Sequence, residues 1–162
     1  PPGAYDQQHI EIRPDVLVYT TPPLDNYMEV TGPIKVTLFA SSSARDTDFT
    51  AKLVDVDPSG YARNLTEGII RARSRKPRSP ASLIEPGTVY EYEIDLWATS
   101  NLFKKGHRVR LEVSSSNFPR FDRNTNTGGP IGADTGFVSA LQTVFHTSGR
   151  PSRIALPIVP RD

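Results

Sequence analysis

The side chains in this chain best suited to chemistry are three histidines, two close pairs of aspartates and a run of cations. His9, His107 and His146 lie far apart, with no H-x-H or H-E-x-x-H spacing, so they signal no metal site. His146 has the strongest claim of the three, because it precedes the Thr147-Ser148-Gly149 turn; a strand-end histidine bonded to backbone is the simpler expectation. Asp46/Asp48 and Asp55/Asp57 stand at i, i+2, which places each pair on one face of a strand or in one turn. A glycosidase acid/base pair has to face across a cleft at ~5–9.5 Å, which this spacing does not supply. Asp57 before Pro58-Ser59-Gly60 reads as a type I turn opener. A calcium loop built on Asp46/Asp48 would lack the glycine and bidentate glutamate of a dedicated site. The Gly-x-Ser-x-Gly elbow of a serine hydrolase is absent; the nearest match, GADTG at 132–136, has Asp134 where the nucleophile would be and reads as a turn. With no cysteine, thiolate metal sites, disulfides and cysteine nucleophiles are excluded. No catalytic residue, metal ligand or cofactor is expected.

Arg71, Arg73, Arg75, Lys76 and Arg78 put five cations within eight residues. Nucleic-acid binding would add interleaved aromatics and a broad basic field, but the net charge is only +1. A solvated strand face, or a face turned to an acidic partner domain, is the expected use. Trp97 follows the apolar side of a strand alternation and falls on its polar side, where it would serve as an interdomain anchor or a sugar-stacking platform, or be covered by residues 99–103. The region 114–136 is a long loop holding Phe118, Arg120, Phe121, Asp122 and Arg123, an aromatic-and-arginine set suited to an interface. Asp122 is expected to fix one of its flanking arginines, and Asn117, Asn124 and Asn126 to hold the turns through bonds to backbone. The competing expectation is that Phe118 and Phe121 close this domain's own core. Phe118, Arg120, Phe121, Asp122, Arg123 and Trp97 are therefore the candidate interdomain contacts.

Short strands must position these groups. Val36, Leu38 and Ala40; Phe49, Ala51 and Leu53; Tyr90, Tyr92, Ile94 and Leu96; and Val109, Leu111 and Val113 alternate with polar neighbours at period 2. Further strands are expected at 16–20, 28–30, 61–73, 143–146 and 152–159. Turn sequences separate them, at 57–60, 85–87, 104–106 and 127–130. Fifteen prolines in 162 residues punctuate the chain too often for long helices. No apolar run approaches the ~20 residues of a membrane helix. Neither nucleic acid nor a membrane is expected as partner, and the compartment is left open. Residues 1–14 read as a linker or docking arm, 74–86 as a proline-rich crossover, and 15–162 as a single all-β domain of sandwich or jelly-roll type. Opening on Pro1-Pro2-Gly3 without methionine, the chain reads as a piece of a longer protein.

Several phrases together carry a resemblance: DVLVYTTPPL (15–24), VTGPIKVTL (30–38), DFTAKLVDVDPSG (48–60), LTEGIIRAR (65–73), NLFKKGHRVRL (101–111), SSNFPRFDRN (115–124) and PSRIALPIV (151–159). In this order they resemble the C-terminal domain of the CocE/NonD hydrolases, the X-Pro dipeptidyl-peptidase, cocaine esterase and α-amino acid ester hydrolase group. The resemblance implies an all-β jelly-roll sandwich similar to galactose-binding domains. It also implies a Ser-Asp-His triad in a preceding α/β-hydrolase domain of the same parent chain, so no triad position falls in this sequence. The implied role is an accessory domain that packs on the catalytic domain and helps to shape its substrate cleft. A homo-oligomer assembled through the parent is compatible with it, and a carbohydrate-binding β-sandwich is the alternative function.

Overall fold

The computed structural model describes residues 3–160. Eleven strands, one short α-helix, α1 (Gln8–Glu11), and a single 3-10 turn at Ala72–Ser74 make up the regular structure of the described residues. Four strands form sheet I in the order β1 (Leu17–Thr20), β6 (Arg108–Ser114), β3 (Asp48–Val56), β4 (Ala62–Arg71), all antiparallel. Sheet II is built on β2 (Met28–Ser42). It pairs along one edge with β5 (Tyr90–Phe103), and along the other with β7 (Gln142–Val144), β10 (Arg153–Ala155) and β11 (Ile158–Val159). β8 (His146–Thr147) and β9 (Arg150–Pro151) form a small hairpin beside it. The result is the all-β sandwich expected from the alternation.

The inward faces meet as the period-2 pattern requires. Val36, Leu38, Phe49, Leu53, Tyr92, Ile94, Leu96 and Val113 are all buried, and the Phe49 and Tyr92 rings pack at 4.8 Å between the sheets. Ile84, in the proline-rich crossover, adds to this core, and its N–H reaches the Arg45 carbonyl at 2.9 Å. Leu111 is an exception. It is only half-buried, because it lines the side of the sandwich where the sheets are not joined.

Two strands run further than their turn residues suggest. Gly32-Pro33 interrupts the pattern between residues 28–30 and Val36, yet β2 is continuous through it. A register shift against β5 between Pro33 and Lys35 absorbs the missing proline N–H, and Gly32 takes φ +137°. β5 likewise continues past Leu96 to Phe103, with Trp97 at φ +63°. At this corner β5 crosses to β4: the Thr66 hydroxyl donates to the Leu96 carbonyl, and Gly68 lies against the Asp95 backbone.

The residues before Asp15 pack on the outside of sheet I. Gln7 N–H bonds the Ala62 carbonyl (2.8 Å), Tyr5 N–H bonds Asn64 Oδ1 (2.8 Å), and α1 follows over the sheet; residues 1 and 2 of this arm lie outside the described residues. With the arm on one part and residues 115–141 on another, β3 is buried along its whole length on both faces.

A methyl group at Gly68 would collide with the Asp95 carbonyl oxygen, a backbone atom with no rotamer to yield. Gly68→Ala is therefore expected to cost about 3 kcal/mol or more in urea unfolding. Gly149→Ala, where an added Cβ meets nothing within 4 Å, is expected to stay within about 0.5 kcal/mol of wild type.

Candidate interdomain site

Trp97 is set by the corner that closes the sandwich. Its N–H donates to Asp95 Oδ1 at 2.8 Å, which helps to hold the left-handed backbone, and its indole is turned outward with 71% of the residue exposed. A bulky side chain is rare at positive φ, so the surrounding structure holds it there at a cost of order 1–3 kcal/mol. The indole edges a broad groove of about 860 Å³, whose other walls include Tyr5, Glu67, Pro119 and Arg120. Glu67 organises the groove's far side: its carboxylate accepts from Asn117 Nδ2 at 2.8 Å and pairs with Arg120 Nε at 3.3 Å. Trp97 and Arg120, 23 positions apart in sequence, thus share one surface.

The other loop candidates spread from this groove across residues 115–141. Phe118 is exposed, whereas Phe121 is half-buried with the Arg120 guanidinium 5.8 Å from its ring centre. Arg123 lies over the exposed Phe137 ring at 4.9 Å. Asp122 bonds neither flanking arginine and makes no hydrogen bond or ion pair among the described residues, because Glu67 and Phe137 have taken those cations. The asparagines divide their work. Asn126 donates to the Val138 carbonyl and Asn124 Oδ1 accepts the Asn126 N–H, both at 2.9 Å and both turn-holding as expected; Asn117 instead bonds Glu67.

The loop is anchored through the aspartates and arginines singled out above. Antiparallel pairing puts Arg71 opposite Asp48, and the two form a bidentate pair at 2.8 and 2.9 Å. Arg73 binds Asp46 through Nε (2.7 Å) and its own N–H (2.9 Å), and donates to the Gly129 carbonyl at 2.9 Å. Asn124 Nδ2 spans both carboxylates, at 3.0 Å from Asp46 and 2.8 Å from Asp48. These arginines are therefore not a solvated face, and the aspartates' lone pairs serve guanidinium and amide donors. Arg75 stacks on Tyr90 at 4.4 Å. Asp134 accepts from Thr125, Thr127 and the Gly136 N–H, the turn-holding role expected of it.

The histidines separate too. His107 Nδ1 pairs with Asp55 Oδ1 at 2.8 Å, two-thirds of a catalytic triad in form; among the described residues no hydroxyl bonds the ring, and Asp55 also takes Arg63 at 3.1 Å. His146 faces the Tyr19 hydroxyl (2.9 Å) rather than backbone.

A sequence profile describing the X-Pro dipeptidyl-peptidase C-terminal non-catalytic domain matches residues 2–155. The chain belongs to this family. It is 50% identical over 161 residues to a cocaine esterase of Rhodococcus sp. (strain MB1 Bresler), which covers 98% of this chain and 28% of that one. Two solved structures superimpose with a TM-score of 0.91. One is an aminopeptidase from a marine-sediment Thaumarchaeota archaeon (36% identity, 97% of this chain and 28% of that chain); the other is an α-amino acid ester hydrolase (33%, 96% and 27%). The domain thus spans little more than a quarter of the relatives it matches.

Sequence reading missed one further group in this domain. Lys52 and Glu112 sit opposite each other on the outer face of sheet I, 8% and 3% exposed, with Nζ and Oε2 4.0 Å apart. Gln7 of the arm accepts from Lys52 Nζ at 2.9 Å, and Glu11 of α1 pairs with Arg110 at 2.5 Å. Lys52 alternates with Ala51 and Leu53, and Glu112 with Leu111 and Val113, which marks both as solvent-facing; the folded-back arm lies over them. Burial, reinforced by the neighbouring Glu11 carboxylate against the pull of Lys52, pushes the Glu112 carboxyl up to about 7. The folded domain then holds a proton that the unfolded chain releases near pH 4.5. The stability tied to that proton is complete below pH 4.5 and is lost as pH rises through 7. Urea midpoints measured from pH 5 to pH 8 are expected to fall more steeply for wild type than for Glu112→Gln. The difference should be at most about 1.4 kcal/mol per pH unit, one proton's worth.

Proposed function

We propose that this domain packs through the Trp97 groove and residues 115–141 against the α/β-hydrolase catalytic domain of a longer chain, and forms part of the wall of that domain's substrate cleft. The observation that carries the proposal is Trp97: a large, exposed aromatic held in a costly backbone conformation, beside the point where residues 3–5 reach the surface. The groove also has the composition of an interface centre, with tryptophan, tyrosine and arginine together. Identity of 50% to a cocaine esterase supports ester cleavage as the parent reaction, with the serine triad in the preceding domain.

Context separates an interface residue from a core residue. In the 162-residue chain, Trp97→Gly removes backbone strain as well as the indole, and is expected to leave stability within about 1 kcal/mol of wild type. Phe118→Ser is expected to behave likewise. In the full-length hydrolase, both are expected to lower Tm and to reduce kcat/KM on an ester substrate. Equal losses in the two contexts would show that these residues serve only the domain's own fold. The 162-residue chain itself is expected to leave p-nitrophenyl esters and Xaa-Pro amides uncleaved; turnover abolished by His107→Ala would overturn the accessory role.

A further inference from the structure

The N-terminal arm is held on sheet I mostly by polar contacts. Of residues 3–14 only Gln7 is buried, and α1 buries none of its side chains. Its bonds to the sheet include the Gln7 N–H to the Ala62 carbonyl (2.8 Å), the Asn64 N–H to the Tyr5 carbonyl (3.3 Å), the Ala62 N–H to Asp6 Oδ1 (3.1 Å) and Lys52 Nζ to Gln7 Oε1 (2.9 Å). At the end of α1, Glu11 reaches Glu112, and the two carboxyls are hydrogen-bonding neighbours. Yet Oε1 of each is buried with no donor from any other group. Glu11 Oε2 takes Arg110 Nη1 at 2.5 Å, and Glu112 Oε2 stands 4.0 Å from Lys52 Nζ. Ionised carboxylates only accept, so two in contact form a hydrogen bond only when one of them carries a proton. A shared proton accounts for both orphaned oxygens at once.

We propose that Glu11 and Glu112 share one proton and that it latches the arm to sheet I: the arm stays docked while the proton is bound and lifts once it passes to water. The other charged groups around Glu112 are cations from three elements. Lys52 comes from β3 and Arg110 from Glu112's own strand; Arg13 of the arm, paired with Asp15 at 2.6 Å, and Arg123 of the long loop line the polar pocket beside it. None of them donates to Oε1 of either carboxylate. Burial keeps the Glu112 proton in place up to about 7, whereas the carboxyl freed by opening loses it near pH 4.5. Between those values opening releases a proton, so docking weakens up to tenfold per pH unit, about 300-fold in all, and levels off above pH 7. A segment with one buried side chain opens without the rest of the sandwich.

The test is amide hydrogen exchange on the 162-residue chain from pH 5 to pH 8. Protection is read at Gln7 and Asn64, whose N–H groups bond across the arm, and at Ala51 in the centre of β3. At Gln7 and Asn64 it is expected to fall up to tenfold per pH unit as far as pH 7 and then to level off, staying at least tenfold below Ala51 throughout. Glu112→Gln gives Glu11 a permanent amide donor, and its profile is expected to be flat. Glu11→Gln gives Glu112 the same donor and is expected to flatten the profile as well. Histidine also titrates in this range; His9 is exposed on α1, and His9→Gln is expected to keep the wild-type profile. A flat wild-type profile, a slope retained in Glu112→Gln or in Glu11→Gln, or a slope lost in His9→Gln would overturn the latch. So would arm amides protected as well as Ala51, which would mean that the arm leaves only when the whole domain unfolds.

Discussion

Lys52 stands near the middle of β3, on the face turned away from sheet II, and its ammonium is buried. A buried cation without partners would cost several kcal/mol, so the fold depends on what is brought to it. Gln7 of the N-terminal arm accepts a hydrogen bond from its ammonium, and Glu112 of the adjacent strand, ionised only as pH rises through about 7, faces it at 4.0 Å. At the other end of the same face, Asp48 is buried against Arg71 and Asn124, the latter reaching in from the long loop. Satisfying these charges pins both the arm and the loop over sheet I. That is why β3, a strand with polar residues along its outer side, has no exposed position.

This third layer decides which surfaces the domain has to offer. With the outside of sheet I covered by its own chain and the β4–β5 corner closed by Gly68 against Asp95, two places differ in kind from the rest. One is the Trp97 groove, aromatic and held under backbone strain. The other is the seam between β1 and β10, a cavity with core residues for its floor. The loop's anchors point inward, at Asp46, Asp48 and Glu67, which leaves Phe118 and Phe137 outside.

The chain by itself determined the class of fold. Period-2 alternation over residues 36–40, 49–53, 90–96 and 109–113 is a local property, and it marked the inward residues of both sheets apart from Leu111, which an open seam leaves half-covered. The order of its phrases determined the family as well, and the absence of an elbow serine set aside hydrolysis within the domain. The tertiary structure decided the rest, because the deciding contacts join residues far apart in sequence. Arg71 and Arg73 read as a solvated run until strand pairing set Arg71 against Asp48 and the following turn set Arg73 against Asp46. Lys52 and Glu112 read as solvent-facing until the arm folded back over them. Trp97 and Arg120 were legible as separate candidates, but their shared groove exists only because β5 turns a corner at a left-handed tryptophan. Alternation records which way a side chain points from its own sheet; it carries no information on what another part of the chain lays on top, and here that covering layer determines the charges, the anchors and the free surfaces alike.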